Sequence, residues 1–233
     1  MQQSLHPKTR MNIRLNLLFS SLIFLFGTSS VAVTAFSKIE ENFFFEFRYM
    51  TLNGTVFTTL ISLIIVIISL SEIKTGKEWQ PKTLYYFRLS SAVTETIIAV
   101  VIAMSFLPFV PDNPNILSYD SFCMHVIIPL LSIISFLLNR TAKENLHPLQ
   151  RLNCSWLITL YAATVITLIV SGLIPQDKIP YSFLDIYTQP VWTLVYFGAF
   201  IYSFSYLLSV VFTEWNCKIV NRKRQEQTPV NSA

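Results

Sequence analysis

A threonine and a histidine stand near the ends of two long apolar segments. Thr51 opens the segment that follows "FRYM", and His125 lies about one turn into "SYDSFCMHVIIPLLSIISFLL". A hydroxyl and an imidazole within hydrogen-bond reach form a nucleophile–base pair, in which the imidazole takes the hydroxyl proton as the oxygen attacks an acyl carbon. If both segments are membrane-spanning helices with centres near residues 60 and 130, the two side chains lie about 13 and about 8 Å from the membrane midplane, at 1.5 Å per residue. They can meet if their helices are neighbours.

Both residues also have simpler interpretations. A lone histidine on an apolar face is more often a packing residue than a catalyst, and threonine hydroxyls can bond to their own helix. Thr55 and Thr58 follow Thr51 at helical spacing and are interpreted as packing hydroxyls. Asn53 or nearby hydroxyls are candidates for binding the oxyanion that such a reaction would form.

Two acidic side chains are candidates for shaping a cavity. Glu95 lies about two turns into a third apolar segment and shares a helix face with Ser91 and Thr94. Ionisable groups inside a membrane span are costly and point to function, although an interhelical hydrogen-bond anchor is the alternative. Asp185 precedes the last apolar segment, where it either orients His125 as the third member of a triad or caps a helix start.

Six apolar segments position these side chains. The chain has 233 residues, 52% hydrophobic and 13% charged, with a mean hydropathy of +0.51. Soluble domains carry about 25% charged residues, and a membrane-spanning helix needs about 20 apolar residues. We therefore predict an all-α polytopic membrane protein, a bundle of six transmembrane helices. The predicted spans are 15–36, 50–70, 88–108, 122–138, 155–174 and 190–212.

The distribution of lysine and arginine predicts the orientation. Of the 17 such residues, 14 fall on one side of the predicted membrane and three on the other, namely Lys38, Arg48 and Lys178. Cytoplasmic loops carry the excess of positive charge, so both termini are expected in the cytoplasm. Residues 1–14 are then a basic cytoplasmic tail, 15–212 the transmembrane domain, and 213–233 a second basic tail, disordered at its end. The basic tails suit anionic lipid head groups better than nucleic acid.

Several other features have an alternative or are excluded. The first span resembles a signal peptide with "VTA" at 33–35 as its cleavage site, but its apolar stretch is longer than such peptides use, so a retained helix is favoured. The cysteines Cys123, Cys154 and Cys217 lack disulfide or zinc spacing and are interpreted as packing residues. No GxSxG, HExxH or phosphate-loop motif occurs, and no metal or cofactor is expected.

The stretches "FRYMTLNGT" at 47–55 and "MHVIIPLL" at 124–131 resemble the androgen-induced-gene family of six-span membrane proteins. "IPYSFLD" at 179–185 is similar to related bacterial integral membrane proteins. The resemblance spans most of the chain in helix number, order and placement. It implies a hydrolase of fatty acid esters of hydroxy fatty acids, with Thr51 as nucleophile and His125 as its partner. Asn53 stands one place earlier than in the family's pattern.

The sequence therefore predicts an integral membrane hydrolase of lipid esters. Its expected partners are the bilayer and an amphiphilic ester substrate, and its expected location is a bacterial plasma membrane in preference to an endoplasmic reticulum membrane. A lipid-binding or small-solute transport protein built around Glu95 is the alternative. A third hypothesis is a structural membrane protein, in which no cavity would join Thr51 and His125.

Overall fold

The computed structural model describes residues 7–39, 42–77, 79–106, 118–139 and 146–225, and these ranges are helical with no β-strand. Six helices account for most of them: α1 (Pro7–Ser37), α2 (Met50–Thr75), α3 (Lys82–Phe106), α4 (Tyr119–Leu137), α5 (Pro148–Val170) and α6 (Val191–Gln225). Each is long and apolar enough to cross a membrane. The predicted all-α bundle of six spans is confirmed, and the protein is a multi-pass membrane protein.

The helix ends differ from the predicted spans. The last helix continues from the predicted boundary at 212 to Gln225, so part of the predicted tail is helical. The fifth helix ends at Val170 rather than 174, where Gly172 turns the chain with a φ of 73°. Apolar runs mark the part of a helix that lies in lipid, whereas the helix itself extends into polar sequence. Residues 1–6 and 226–233 of the predicted tails lie outside the described residues, as do residues 107–108 of the third predicted span and Arg140 and Lys143 of the charge count.

Small residues bring the first three helices together. A Cβ atom added to Gly27 of α1 would lie 2.0 Å from Thr59 Oγ1 of α2, and one added to Gly54 of α2 would lie 2.5 Å from Ile98 Cδ1 of α3. Small residues permit such close approach of membrane helices, which gain little from apolar burial alone. Larger residues at either glycine would push α2 away from its neighbours.

A buried arginine joins three helices near one end of the bundle. We call the end that holds the start of α1 and the end of α6 the inner end, and the opposite end the outer end. Arg88 of α3 is 3% exposed and donates hydrogen bonds to Asn16 Oδ1 of α1 and to the Ser135 carbonyl and hydroxyl of α4. In the charge count above, Arg88 is one of the 14 residues on the cytoplasmic side and was assigned to the loop before the third span. That placement is wrong, because α3 begins at Lys82 and carries Arg88 into the bundle.

An asparagine of α6 caps the end of α4. The Asn216 side-chain amide is shared among the carbonyl oxygens of Phe136, Leu137 and Asn139, at 3.3, 3.0 and 2.7 Å. The last carbonyl groups of a helix have no partner within the helix, and an unsatisfied polar group in a bilayer costs several kcal/mol. The cap therefore fixes the inner end of α4, and with it the register of α4 against α6.

We expect Asn216→Ala to lower the free energy of unfolding by about 1–2 kcal/mol, because the α4 carbonyls lose their donor. Thermal unfolding of the protein in detergent micelles measures the loss. Glu214→Ala, which alters an exposed residue two positions away, is the matched control and should change stability by less than about 0.5 kcal/mol. Equal stabilities of the two variants would contradict the capping role.

Candidate functional site at the outer end of the bundle

Thr51 lies in the first turn of α2, and the Asn53 side chain fixes the start of that helix. The helix begins at Met50 after Tyr49, which has an extended backbone. The Asn53 side-chain amide donates to the carbonyl oxygens of Phe47 and Tyr49 at 2.7 and 2.8 Å. These bonds join the helix to the 3-10 turn Phe43–Arg48 that precedes it. Thr51 is 9% exposed and is thereby held in one position at the outer end.

His125 lies in an irregular turn of α4. Residues Cys123–Ile127 form a π-helical turn, in which the Ile128 N–H donates to the Cys123 carbonyl. Pro129 explains this turn, because a proline ring clashes with the carbonyl four residues earlier, which here belongs to His125. The wider turn relieves that clash, and such turns are frequent at functional sites. The spacing of histidine and proline in "HVIIP" is the sequence signal for it.

The structure brings the two predicted residues together. Thr51 Oγ1 lies 3.2 Å from His125 Nε2, within hydrogen-bond distance. The other ring nitrogen, Nδ1, lies 3.0 Å from Ser121 Oγ, one helical turn earlier on α4. Both ring nitrogens are therefore engaged, and the imidazole is fixed between a hydroxyl of α2 and a hydroxyl of its own helix. This is the proximity that a nucleophile–base pair requires.

Sequence reasoning missed the neighbours of His125 on α4. Ser121 is four residues before His125, a spacing at which helical side chains meet. Asp120 lies near enough for its charge to act on the histidine ring, and it accepts hydrogen bonds from Ser118 and from Thr34 of α1 at 2.6 and 3.1 Å. The fragment "YDSFCMH" contains this signal, whereas the predicted partner of the histidine was the distant Asp185.

Asp185 does not hold the histidine in this structure. Its carboxylate accepts hydrogen bonds from the backbone N–H groups of Tyr187 and Thr188, and from the Thr188 hydroxyl, in the loop before α6. The Thr188 hydroxyl is the main reason that the pKa of Asp185 lies below its usual value. Neither predicted role describes the carboxylate, since its partners lie in the loop and not in the first turn of α6, which begins at Val191. Ser121 occupies the place of an orienting residue.

Asn53 is likewise committed to the backbone. The side-chain nitrogen already donates to the Phe47 and Tyr49 carbonyls, so it has no proton left for an oxyanion. The geometry therefore corrects the prediction that Asn53 binds a developing negative charge. A short side-chain amide at the start of a helix competes for nearby backbone groups, and that competition decides its role here.

Tyr181 takes a position that the sequence analysis did not consider for the site. It lies in the loop between α5 and α6, and its hydroxyl faces the Thr51 side chain and the backbone of Met50 and Thr51. Its ring packs edge-on against Tyr49 and stacks on Phe183. Burial raises the pKa of Tyr181 above its usual value, so the hydroxyl stays protonated and can donate a hydrogen bond.

Glu95 lies deeper in the bundle, on the face of α3 that meets α2. Ser91, Thr94 and Glu95 are all buried, as their shared face predicted. The predicted packing role of Thr58 is confirmed, since its hydroxyl lies 2.8 Å from Ser91 Oγ across the α2–α3 contact. The Glu95 side chain is completely buried against Gly54, and its two oxygens make no hydrogen bond within 3.5 Å to the described residues, although the Thr58 hydroxyl is close enough to interact with the carboxyl group.

An apolar cavity of about 360 Å³ adjoins Thr51, which is within the usual range for a small-molecule site. Its walls come from α2, α3, α5, α6 and the loop that carries Tyr181. Among the described residues, no three His, Cys, Asp or Glu side chains are grouped as metal ligands.

Comparison of the chain with known protein families, with curated proteins and with solved structures finds no match. The resemblance to the androgen-induced-gene family therefore stays a prediction that depends on the short stretches around Thr51, His125 and Tyr181.

We expect His125 to carry its proton on Nδ1, bonded to Ser121 Oγ, which leaves the Nε2 lone pair facing Thr51. Isotope-edited NMR of the ring nitrogens in micelles distinguishes the two tautomers, and the chain has only 3 histidines to assign. Ser121→Ala should lower the Nδ1–H population, whereas Ser132→Ala, on the same helix, should not. Identical tautomer populations in both variants would show that Ser121 does not hold the ring.

Proposed function

We propose that the protein is an integral membrane hydrolase of lipid acyl esters. The 3.2 Å contact between Thr51 Oγ1 and His125 Nε2 is the observation that carries the proposal. The contact joins a possible nucleophile on α2 to a possible general base on α4. Both lie at the depth expected for the ester group of an amphiphile whose chains lie in the bilayer core. The resemblance to the androgen-induced-gene family points to the same pair.

In the first step the Thr51 oxygen attacks the ester carbonyl carbon while His125 Nε2 takes the hydroxyl proton. The new carbon–oxygen bond gives a tetrahedral intermediate with a negative oxygen. Collapse of that intermediate breaks the bond to the alcohol, which leaves with the proton from His125. The acyl group then remains on Thr51 as an ester.

In the second step a water molecule releases the acyl group. His125 takes a proton from the water as the water oxygen attacks the acyl carbon, and the carbon–oxygen bond to Thr51 then breaks. The proton returns to the Thr51 oxygen, so the site is restored and the products are one alcohol and one fatty acid. The positive ring formed in each step is balanced by the nearby charge of Asp120.

The Tyr181 hydroxyl is the group best placed to stabilise the negative oxygen. It faces Thr51 and remains protonated, because burial raises its pKa. A hydrogen bond that strengthens as charge develops in a site shielded from water lowers the barrier; loss of one such donor costs about 10²–10³ in kcat in a well-studied hydrolase. Tyr181 therefore replaces Asn53 as the proposed oxyanion donor.

The predicted orientation places this chemistry at the non-cytoplasmic face. Thr51 and His125 are at the outer end, opposite the basic inner end, and the proposed membrane is a bacterial plasma membrane. There the site meets both amphiphiles from the outer leaflet and the water that the second step consumes.

We expect a lipophilic fluorophosphonate to label the purified wild-type protein on Thr51. Thr51→Ala should abolish labelling and lower the hydrolysis of a p-nitrophenyl ester by a factor of at least about 10³, because the nucleophile is lost. Thr55→Ala is the matched control: Thr55 is buried one turn deeper on α2, and its hydroxyl has no partner among the described residues. Labelling that persists in Thr51→Ala would remove Thr51 as the nucleophile.

The alternative function rests on the buried carboxyl group of Glu95. Ionisable side chains inside membrane spans often mark proton or solute pathways, and Glu95 is completely buried within its span. We expect Glu95→Gln to retain ester hydrolysis within a factor of about three, since glutamine preserves the size of the side chain and Glu95 does not line the cavity beside Thr51. Loss of function in Glu95→Gln, with full function in Thr51→Ala, would instead favour the carrier.

A further inference from the structure

The helices α5 and α6 separate toward the outer half of the bundle and leave a cleft. They pack together over Pro148–Ser155, but α6 turns away from the part of α5 formed by Trp156–Val170. The apolar cavity described above fills the gap, with α3 as its back wall. Ala163 of α5 and Tyr202 of α6, on its margins, are exposed on the outer surface of the bundle, so the cleft faces the lipid.

The cleft runs from the reactive threonine toward the membrane centre. On α6 its lining extends from Leu194 to Tyr202, and on α5 from Ile166 to Ile158. Each side covers nine residues of helix, whose eight rises of 1.5 Å correspond to a depth of about 12 Å. Thr51 and Tyr181 lie at its outer end. At its inner end, the hydroxyl groups of Thr159 and Tyr202 are hydrogen-bonded across the gap.

The position of the cleft determines the chemistry of its occupant. Its walls are formed largely by aliphatic and aromatic side chains, and it lies within the spans, where the surrounding medium is hydrocarbon. Water and ionic solutes have no favourable partners there. An alkyl chain from the bilayer is the occupant that fits both the walls and the surroundings.

We infer that the cleft binds the acyl chain of the substrate, which enters sideways from the bilayer between α5 and α6. This inference rests on the proposed function. Thr51 lines the cleft, whereas His125 does not. The acyl group stays bonded to Thr51 after the first step, so its chain lies in the cleft. The alcohol receives its proton from His125 and leaves on that side.

The inner end of the cleft limits the length of the chain. The Thr159–Tyr202 pair closes it, and Gly198 forms the wall about one turn further out on α6. A Cβ atom added at Gly198 would have no atom within 4 Å, so a larger side chain fits there without disturbing the fold and fills part of the cleft. A long chain then cannot reach its full depth with the carbonyl carbon at Thr51.

Substitution of Gly198 tests the length limit. We expect Gly198→Leu to lower kcat/KM for p-nitrophenyl decanoate at least about tenfold relative to p-nitrophenyl butanoate, because a chain that clashes cannot place its carbonyl correctly. Ala199→Leu adds a leucine at the neighbouring exposed position and should leave the ratio of the two values at its wild-type level. An unchanged ratio in Gly198→Leu, or an equal change in Ala199→Leu, would overturn the inference.

A binding measurement separates this inference from the proposed reaction. The probe is decanoic acid with a diazirine at its methyl end, bound to the Thr51→Ala protein in micelles, where no hydrolysis occurs. We expect crosslinks at the inner half of the cleft, on α5 around Ile158 and on α6 around Tyr202. Unlabelled decanoic acid should compete for them, and Gly198→Leu should remove them.

Crosslinks spread evenly over the lipid-facing sides of the helices, without competition, would overturn the binding site whether or not the protein hydrolyses esters. Saturable crosslinks in the cleft, together with no hydrolysis by the wild type, would support the acyl-chain site while rejecting the hydrolase.

Discussion

Membrane helices gain little by burying apolar side chains against each other, because lipid chains are equally apolar. What holds this bundle together is therefore close backbone approach and a small number of hydrogen bonds between helices. Gly27 and Gly54 allow the first kind of contact, and the Arg88 and Asn216 side chains supply the second. Polar groups near the inner end thus set the relative positions of α1, α3, α4 and α6. Because the helices run the length of the bundle, their positions at the outer end follow from these contacts.

The Thr51–His125 contact is one product of this arrangement. It forms because α2 and α4 are neighbours through their packing on α1 and α3, and because the π turn above Pro129 contains the histidine. Asn53 and Ser121 act locally at the two ends of the contact, one by fixing the start of α2 and the other by holding the imidazole. The site is therefore built from ordinary helix-end and helix-face bonds around one irregular turn.

The number of helices and their approximate positions could be predicted from the sequence, because a stretch of about 20 apolar residues is rarely anything other than a transmembrane helix. The pairing of Thr51 with His125 could be proposed from depth and chemistry, but only the tertiary structure shows that their helices are adjacent. Arg88 was misplaced because its partners, Asn16 and Ser135, are far away in the sequence. Asp185 and Asn53 were assigned to the site, but both side chains bond nearby backbone groups instead. Residue types alone do not show whether such a side chain bonds the local backbone or a distant partner.

Because the cleft opens sideways into lipid, the binding of an occupant depends on its concentration within the membrane. Any occupant reaches it by diffusion in the plane of the bilayer, so the relevant quantity is the mole fraction of that lipid in the membrane and not its concentration in water. The bulk phospholipids are present in large excess and compete for the same space with their own chains. The apparent affinity for an occupant is therefore a joint property of the protein and of the membrane around it, and it shifts with the chain length and unsaturation of the host lipids.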